Sequence, residues 1–445
     1  MQSARSGPVS GKVSVPGDKS ISHRALILAA SALGISRIEG LLESEDVLAT
    51  MAAVRALGAD VKCRDDETGR VWLVHGRGVG GMAEPVGVLD MGNSGTAARL
   101  LMGLVAGCDI TCTFAGDASL SARPMGRVIE PLERMGAAFS SRSGGRLPLT
   151  LSGPASPMPM EYELPVASAQ VASAILLAAL AAPGRTAVIE PRPSRDHTER
   201  MLKHFGAEVT VEEQIKGGRR ITLAGQPELL GRDVKVPGDM SSAAFPLVAA
   251  LIVPGSAVTL RGVGVNPLRA GLIDCLRQMG GRIEIADQRL ESGEPLADVS
   301  ACFSPLTGIR VAAGRVPSMI DEYPILAVAA AMASGVTRME GLAELRVKES
   351  DRLAAIAKGL RAAGVRVDEG DDWLVVHGLG GLGSPPAGGC VIETNLDHRI
   401  AMAFLVLGCV TEKPVTIDDA TPIETSFPGF AGLMNGLGAS IGEVD

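Results

Sequence analysis

The segment Ser14-Val15-Pro16-Gly17-Asp18-Lys19-Ser20 has a counterpart in Lys235-Val236-Pro237-Gly238-Asp239-Met240-Ser241, half of the 445-residue chain further on. The same Val-Pro-Gly-Asp turn opens both halves of the sequence, which predicts two related lobes. Only the first copy carries a lysine, Lys19, where the second has Met240. A duplicated scaffold with different chemistry at matching positions indicates a functional site to which both lobes contribute.

A shorter repeat lies within each half. At six places a helix-like stretch ends in a glycine and runs into a β-like segment, at intervals of about 75 residues. Glycine is favoured just after a helix because it adopts positive φ at no steric cost, and the β-branched residues that follow favour a strand. The pattern predicts an α/β (α+β) protein with three mixed units in each lobe. The six glycines are Gly58, Gly136, Gly206, Gly280, Gly364 and Gly438.

The repeated turn also predicts the domain boundaries. We expect a first lobe at residues 19–234 and a second lobe made of residues 1–18 and 235–445, with a hinge near 15–20 and again near 234–241. The chain would then cross between the lobes twice, which would allow them to close on a ligand.

Bulk composition limits the classes of function. The net charge of −8 argues against nucleic-acid or membrane-surface binding, for which a basic excess is expected. Seven scattered cysteines without a CxxC pair are typical of a reducing compartment. The arginine near the start is followed by no apolar core, so we expect no signal peptide, and no apolar stretch is long enough for a bilayer. We expect a cytoplasmic monomer.

Several familiar motifs are missing or fail in context. No G-x4-G-K-[ST] loop and no GxSxG elbow occurs, so nucleotide hydrolysis and serine-esterase chemistry are disfavoured. The glycine strings at 76–81 and 378–383 match GxGxxG, but neither opens a helix, and we interpret them as turns. His23, His197 and His398 share no metal-ligand spacing, so we expect no metal site.

Polar clusters stand at the predicted starts of several apolar helices. A helix N-terminus presents unpaired N–H groups and a partial positive charge, so several of them together form an anion site. Lysine and arginine oppose the helix dipole there, and an anionic ligand would offset that unfavourable choice. The clusters are Lys19, Ser20 and Arg24; Asn93, Ser94, Gly95 and Thr96; Ser168, Ala169 and Gln170; Arg195 and Asp196; Asp321 and Glu322; Lys348, Glu349 and Arg352; and Asp397, His398 and Arg399.

Plainer interpretations exist for single members of this set. Asp196, Asp351 and Asp397 are most simply helix N-caps. Arg352 is equally compatible with ion pairing on a solvated face, and residues 123–127 with a solvated loop. The set as a whole, in which cations alternate with a few acids, favours recognition of phosphate and carboxylate groups.

Six ordered motifs carry a resemblance to a known family. They are PGDKSISHR (16–24), GNSGTAARL (92–100), SARPMGRV (121–128), MIDEYPILAVAAA (319–331), RVKESDRL (346–353) and LDHRIAMAF (396–404). Together they resemble 5-enolpyruvylshikimate-3-phosphate (EPSP) synthases over nearly the whole chain. SAQ (168–170), RDHTE (195–199) and TSFPGF (425–430) are similar to the class II branch of that family.

The resemblance implies a two-lobed enolpyruvyl transferase fold. Each lobe would hold three βαβαββ units around a pseudo-threefold axis, with helices inside and sheets outside. It also implies transfer of the enolpyruvyl group of phosphoenolpyruvate to the 5-hydroxyl of shikimate 3-phosphate, through a tetrahedral intermediate that expels phosphate. This step belongs to the shikimate pathway of aromatic amino acid biosynthesis. No metal or organic cofactor is implied.

The resemblance also implies roles for individual residues. Asp321 is expected near the hydroxyl that loses its proton, and Glu349, assisted by Lys19, is expected to protonate the enol carbon, which calls for a raised carboxyl pKa. Shikimate 3-phosphate would be bound by Lys19, Ser20, Arg24, Ser168, Ala169, Gln170, Arg195, Asp321 and Lys348. Phosphoenolpyruvate would be bound by Lys19, Asn93, Gly95, Arg123, Gln170, Arg352 and Arg399.

Two departures from the family and two rival functions are part of this prediction. Thr425 stands where many class I members carry a lysine, and Ala172 stands where many class II members carry one. Gly95 is the small residue of glyphosate-sensitive members, so we expect this chain to be a glyphosate target.

One rival is UDP-N-acetylglucosamine enolpyruvyl transferase, but the position of its reactive cysteine is Ala118. The other rival is a non-catalytic anion-binding relative.

Overall fold

A computed structural model describes residues 1–67, 69–215, 217–380 and 384–444. Residues 381–383 of the second glycine string lie outside the described residues. The chain forms two compact units. Lobe A comprises Gly17–Pro237 and Leu290–Glu294, and lobe B comprises Met1–Pro16, Gly238–Arg289 and Pro295–Asp445. The hinge near 15–20 and 234–241 stays a prediction.

Short strands alternate with helices along the chain. The strands are β1 Gln2–Ala4, β2 Ser10–Val13, β3 Ile35–Glu39, β4 Asp60–Asp66, β5 Gly69–His75, β6 Leu89–Asp90, β7 Thr111–Ala115, β8 Ala138–Arg142, β9 Arg146–Ser152, β10 Glu161–Glu163, β11 Arg185–Glu190, β12 Val209–Glu213, β13 Arg219–Ala224, β14 Asp233–Lys235, β15 Ala257–Gly264, β16 Arg282–Glu291, β17 Glu294–Cys302, β18 Arg310–Val311, β19 Val336–Glu340, β20 Val367–Glu369, β21 Trp373–His377, β22 Val391–Ile392, β23 Val415–Ile417 and β24 Ser440–Gly442. The α-helices are α1 Lys19–Ala30, α2 Glu45–Ala56, α3 Gly95–Ala106, α4 Ala118–Ala122, α5 Gly126–Arg134, α6 Ala169–Ala179, α7 His197–Phe205, α8 Met240–Ile252, α9 Gly271–Gln278, α10 Val316–Met319, α11 Tyr323–Met332, α12 Arg352–Ala362, α13 His398–Gly408 and α14 Phe430–Gly436.

The described residues form six four-stranded sheets, three in each lobe. Lobe A has the strand orders β14-β3-β5-β4, β6-β7-β9-β8 and β10-β11-β13-β12, and lobe B has β16-β17-β15-β2, β18-β19-β21-β20 and β22-β23-β1-β24. In each sheet an edge strand runs parallel to its neighbour and the next pairing is antiparallel. This common pattern confirms the predicted repeat of βαβαββ units.

Strands distant in sequence complete three of these sheets. In lobe A, β14 pairs with β3, so that Val234 lies opposite Ile38. In lobe B, β2 pairs with β15, and β1 lies between β23 and β24. One unit of lobe A and two units of lobe B are therefore assembled from residues more than a hundred positions apart in the chain.

The six predicted glycine steps are confirmed. Each glycine follows a helix and has φ between 91° and 110°. The next strand is the first strand of a hairpin in five units and the edge strand β24 in the sixth. This backbone conformation is strained for residues with a Cβ atom, which explains why glycine recurs there.

Each lobe has its own core of buried helices with sheets around it. In lobe A, α3 packs against both α1 and α6, and in lobe B, α8, α11 and α13 pack against one another. These six helices are apolar and buried nearly all round, while strands such as β9 alternate buried and exposed side chains. The helices are therefore inside and the sheets outside, as predicted.

Candidate active site

The predicted polar clusters lie at helix starts in both lobes. Lys19, Gly95, Ala169 and Arg352 are the first residues of α1, α3, α6 and α12, and Arg399 is the second residue of α13. Asn93, Arg195 and Asp321 lie two residues before α3, α7 and α11, whereas Arg123 directly follows α4. Lys348 and Glu349 lie in the short segment before α12.

Side-chain caps fix several of these starts. Asp18 and Ser94 accept hydrogen bonds from the backbone N–H groups of the first turns of α1 and α3. Asp351 and Asp397 do the same for α12 and α13, which confirms their predicted role as N-caps. Asp196 also occupies the predicted N-cap position, at the start of α7, but its carboxylate accepts from Nε of Arg200 at 2.8 Å and makes no side-chain cap bond.

In lobe A, Arg24 joins three helices. Its Nε donates to the hydroxyl of Thr198 on α7 at 2.7 Å, its Nη2 to the hydroxyl of Ser173 on α6 at 2.8 Å, and its Nη1 to the carbonyl oxygen of Ser20 on its own helix at 2.9 Å. Burial lowers the pKa of Arg24 to about 10, although Glu199 opposes that shift. The guanidinium is therefore charged at neutral pH and held rigidly beside the start of α6.

Lys19 is held from the neighbouring helix α2. Its ammonium lies 2.9 Å from Oδ2 of Asp46, and its side chain is 20% exposed. One turn further along both helices, Nδ1 of His23 is 2.7 Å from the hydroxyl of Thr50. Burial lowers the pKa of His23 to about 3, with Lys19 among the charges that add to the shift. A neutral His23 thus avoids placing a second cation behind Lys19.

A second group of lobe A surrounds the start of α3. Nη2 of Arg123 donates to the side-chain oxygen of Asn93 at 2.8 Å. Nη1 of Arg99 donates to Oε1 of Gln170 on α6 at 2.9 Å. A Cβ atom on Gly95 would lie 2.8 Å from Nη1 of Arg99 and 3.4 Å from Nη1 of Arg123. The absence of a side chain at Gly95 therefore leaves room for two guanidinium groups at one helix N-terminus.

Arg195 belongs to a short segment that is fixed by buried ions. The carboxylate of Glu190 accepts from the backbone N–H of Ser194 at 3.2 Å and from its hydroxyl, and Arg219 bonds both Glu190 at 2.5 Å and the carbonyl oxygen of Ser194 at 2.9 Å. Burial raises the pKa of the adjacent Glu199 to about 7, with Arg219 opposing the shift. The backbone that carries Arg195 is thus anchored before it enters α7.

In lobe B, Arg352 forms ion pairs with three carboxylates, each at the start of a different helix. Its Nε lies 2.7 Å from Asp397, its Nη1 3.2 Å from Asp321 and its Nη2 2.5 Å from Glu349. The Arg352 side chain is 1% exposed, so it does not lie on a solvated face. Burial works against the charge on Arg352, but Asp397, Glu349 and Asp321 outweigh it and raise its pKa.

Arg399 approaches the same acids. Its Nη1 donates to the carbonyl oxygen of Asp321 at 3.3 Å, and its Nε lies 3.9 Å from the carboxylate of that residue. The same Nη1 is 3.6 Å from Glu322, which is fully buried and also pairs with Arg269 at 2.8 Å. Two arginines therefore meet around Asp321, where the starts of α11, α12 and α13 lie close together.

The pKa of Glu349 differs from the expectation. Burial raises it, but the charge of Arg352 and the neighbouring His398 and Lys348 lower it further, so the pKa lies well below its usual range. The predicted raised pKa is thus wrong for the protein groups alone, because the carboxylate of Glu349 directly contacts a buried guanidinium. Glu349 is ionised at neutral pH in this arrangement.

The duplicated turn differs between the lobes as the sequence predicted. Lys19 is partly exposed at the start of α1, whereas Met240 is 1% exposed at the start of α8. Next to Met240, Ser241 bonds both Glu322 and Arg269, so the charges near α8 are paired within the core of lobe B. The start of α8 is therefore structural.

The remaining predicted residues make local contacts, and several of their neighbours were not predicted. Ser168 caps α6 by accepting from Val171, and the hydroxyl of Thr425 donates to the carbonyl oxygen of Pro422 at 2.7 Å. Sequence reasoning missed several partners of the predicted cations, although Thr198 lies in the RDHTE motif and Ser173 lies one turn after Ala169. The missed partners are Asp46, Ser173 and Thr198, and Arg219, which anchors the segment before α7, was missed as well.

Among the described residues, no group of three or more His, Cys, Asp or Glu side chains is arranged to hold a metal ion. Within the same part of the chain, no helix is both long and apolar enough to span a membrane.

Comparison with known proteins identifies the family. The family profile described as EPSP synthase (3-phosphoshikimate 1-carboxyvinyltransferase) matches residues 4–434. A 3-phosphoshikimate 1-carboxyvinyltransferase from Rhodospirillum rubrum is 60% identical over 99% of this chain and 97% of its own. One from Methylorubrum populi is 61% identical over 98% of this chain and 95% of its own.

Solved structures agree with this assignment. An EPSP synthase from Acinetobacter baumannii has 42% sequence identity and a TM-score of 0.89, with 99% of both chains covered. The enolpyruvyl transferase NikO from Streptomyces tendae has 19% identity and a TM-score of 0.77 over 99% of this chain and 97% of its own, which shows the fold alone. On the profile, the relatives and the structure together, this chain belongs to the EPSP synthase family of 3-phosphoshikimate 1-carboxyvinyltransferases.

Proposed function

We propose that the helix starts of lobe A and lobe B carry out the family's enolpyruvyl transfer through the residues described above. The reaction joins the enolpyruvyl group of phosphoenolpyruvate to the 5-hydroxyl of shikimate 3-phosphate and releases phosphate, and the family assignment makes this chain a transferase. The observation that carries the proposal is the gathering of Arg352 and Arg399 around Asp321, with Glu349 in contact with Arg352.

In lobe A, the cations and hydroxyls suit a phosphorylated substrate. Arg24 presents a fixed guanidinium beside α6, whose N-terminus carries the positive end of the helix dipole, and the two together favour a phosphate. We assign Lys19, Ser20, Arg24, Ser168, Ala169, Gln170 and Arg195 to shikimate 3-phosphate. The assignment of Asp321 and Lys348 of lobe B to the same substrate stays a prediction.

Phosphoenolpyruvate carries a phosphate and a carboxylate and therefore needs several cations to bind beside a second anion. The forked contacts of guanidinium groups match both anionic groups. In lobe A, the space at Gly95 beside Arg99 and Arg123 suits one anionic group at the N-terminus of α3. We assign Lys19, Asn93, Gly95, Arg123, Gln170, Arg352 and Arg399 to this substrate.

The chemistry requires two proton transfers. In the addition step the 5-hydroxyl oxygen attacks C2 of phosphoenolpyruvate, loses its proton to Asp321, and C3 receives a proton from Glu349 or Lys19. Loss of phosphate and return of one C3 proton to the group that supplied it then restore the carbon–carbon double bond, now in the enolpyruvyl ether. Glu349 must hold a proton for the first step, although Arg352 keeps its pKa low. The negative charges of the substrates would draw Arg352 away and raise that pKa, which couples proton donation to binding.

The proposal is tested by phosphate release from phosphoenolpyruvate with shikimate 3-phosphate and UDP-N-acetylglucosamine in parallel. We expect release only with shikimate 3-phosphate. Release only with the nucleotide sugar would support the first rival, and no release from folded protein would support a non-catalytic relative. Asp321→Asn and Glu349→Gln should each lower turnover at least about tenfold, and the acid–base assignment is wrong if neither does.

Partners and location follow only in part. The family's substrates are small molecules, as its name states. That the chain is a cytoplasmic monomer and binds neither nucleic acid nor membranes stays a prediction.

A further inference from the structure

A hairpin tip groups with lobe A although both of its strands lie mainly in lobe B. The tip is Leu290–Glu294, where β16 turns into β17. Its central residues Ser292 and Gly293 have φ values of 50° and 83°, as in the two-residue turns that suit twisted hairpins. A Cβ atom on Gly293 would lie 3.1 Å from the carbonyl oxygen of Arg200, so the turn is seated closely against α7.

The hairpin tip buries a carboxylate. Glu294 is 2% exposed, and its Oε1 lies 2.8 Å from Nδ1 of His197, which is also 2% exposed. Beside this pair, Arg200 donates to the carbonyl oxygen of Gly293 at 3.4 Å, and the backbone N–H of Lys235 donates to the hydroxyl of Ser292 at 2.9 Å. Burying a carboxylate costs free energy, and a hairpin that ended in solvent would not need to bury one.

His197 stands between residues that serve the proposed substrate. Arg195 lies two residues before it, and Thr198, which accepts from Nε of Arg24, lies directly after it. The other end of this stretch is fixed at Ser194 by Glu190 and Arg219. The segment Ser194–Thr198 is therefore anchored at one end by Arg219 and Glu190 and at the other by Glu294.

Glu294 is also close enough to Arg24 to act on it electrostatically. Burial lowers the pKa of Arg24, and Glu294 is among the acids that oppose this shift, together with Glu199. The hairpin tip thus influences both predicted cations of this part of lobe A. It restrains Arg195 through the backbone of the segment, and it acts on Arg24 through Thr198 and through the charge of Glu294.

We propose that Glu294 is a positioning residue for shikimate 3-phosphate, holding the segment Ser194–Thr198 through its hydrogen bond to His197 so that Arg195 and Arg24 are correctly presented. The inference rests on the proposed function, which assigns these two cations to that substrate. The reach of the side chain is the property that matters, because a neutral amide in place of the carboxylate still accepts a hydrogen bond from the Nδ1–H of His197.

The test compares reach with charge in the full-length protein. Dissociation constants for shikimate 3-phosphate are measured by titration calorimetry for Glu294→Gln, Glu294→Asp and Glu294→Ala. The matched control is Glu284→Ala, an exposed position of the same hairpin. Glu294→Asp keeps the charge but shortens the side chain, so it should weaken binding at least about tenfold, as should Glu294→Ala. Glu294→Gln and the control should stay within about threefold of the wild type.

Steady-state kinetics separate positioning from general destabilisation. In Glu294→Asp, the KM for shikimate 3-phosphate should rise while kcat at saturation stays within about threefold. A purely structural role would lower the active fraction and kcat without changing the dissociation constant of the folded protein. If Glu294→Ala fails to fold, the Asp and Gln variants alone decide the matter.

Arg195→Ala distinguishes the inference from the function on which it rests. If Arg195→Ala and Arg24→Ala both leave binding unchanged, the proposed substrate assignment fails, and the role of Glu294 fails with it. If those two variants weaken binding while Glu294→Asp and Glu294→Ala remain within about twofold of the wild type, the inference alone is overturned. Weakening by Glu294→Gln that equals or exceeds the weakening by Glu294→Asp would also overturn it, because loss of the charge alone would then impair binding although the reach is kept.

Discussion

Replacing Arg352 with glutamine is expected to destabilise lobe B strongly at neutral pH. The guanidinium is 1% exposed and contacts Asp397, Asp321 and Glu349 at 2.7, 3.2 and 2.5 Å. Asp397 is itself fully buried, so the variant leaves a buried carboxylate without its main counter-charge. Breaking a buried ion pair from one side costs about 3–5 kcal/mol, and we expect a loss of that size in the free energy of unfolding at pH 7.

The loss should depend on pH in a defined direction. In the wild type, burial raises the pKa of Asp397, but Arg352 and the neighbouring His398 together outweigh burial and lower it, so this group adds stability at neutral pH that is lost as the pH falls through the depressed value. Without Arg352, burial remains and the pKa of Asp397 rises above its unfolded value. The variant then loses stability as the pH rises. The difference in free energy of unfolding between wild type and variant should therefore shrink by about 1.4 kcal/mol per pH unit as the pH is lowered from the raised pKa of Asp397 toward 5.

Each lobe carries one tryptophan, which makes the measurement specific. Trp72 lies on β5 of lobe A and Trp373 on β21 of lobe B. In a Trp72→Phe background, urea unfolding followed by Trp373 fluorescence reports lobe B. The matched control is Arg361→Gln, on the same helix. The Arg361 side chain is 46% exposed and pairs with Glu369, so the expected loss in the free energy of unfolding is below about 1 kcal/mol. An Arg352→Gln loss no larger than the control, or one equal at pH 7 and pH 5, would refute the reasoning.

Three further predictions follow from lobe A. Gly95→Ala should raise the KM for phosphoenolpyruvate at least about tenfold and weaken glyphosate inhibition, because the new Cβ would displace Arg99, and steady-state kinetics check both. A wild-type glyphosate curve that is flat into the millimolar range would contradict the expected sensitivity. Arg24→Lys should weaken shikimate 3-phosphate binding about tenfold in calorimetry, because an ammonium cannot keep all three contacts of the fork. Burial lowers the pKa of His23 to about 3, so lobe A loses stability as the pH falls below 6.5. In a Trp373→Phe background, His23→Asn should remove about 2–3 kcal/mol of the loss between pH 6.5 and 4.5, as followed by Trp72 fluorescence.

Local signals made much of the fold predictable. The six glycines were recognisable because a helix end that needs positive φ selects glycine wherever it occurs, and all six have that conformation. The helix starts were recognisable because capping residues act within a few positions of the chain, as at Ser94 and Asp351. Strands β1, β2 and β14 gave no such signal, because three or four residues show no useful periodicity and their partners lie far away.

The partners of the site residues were much harder to foresee. Arg24 was recognised as a site cation, but Thr198 and Ser173 are 174 and 149 positions away, and no local pattern connects them. A solvated face was an equally good interpretation of Arg352, because its burial depends on Asp397 and Asp321 arriving from other helices. The low pKa of Glu349 in the protein alone follows from the same contact, which no local pattern of the sequence reveals.

The position of β1 between β23 and β24 has a consequence for synthesis on the ribosome. The partners of Gln2–Ala4 are Val415–Ile417 and Ser440–Gly442, which are made more than 400 residues later. At about 5–20 residues per second, strand β1 waits on the order of 20–90 seconds for a place in its sheet. The stretch 17–237 of lobe A has its own buried core and is joined in that lobe by the tip Leu290–Glu294 from the later half of the chain. We therefore expect the two lobes to mature at different times, with β1 exposed to chaperones and proteases until its partner strands have been made.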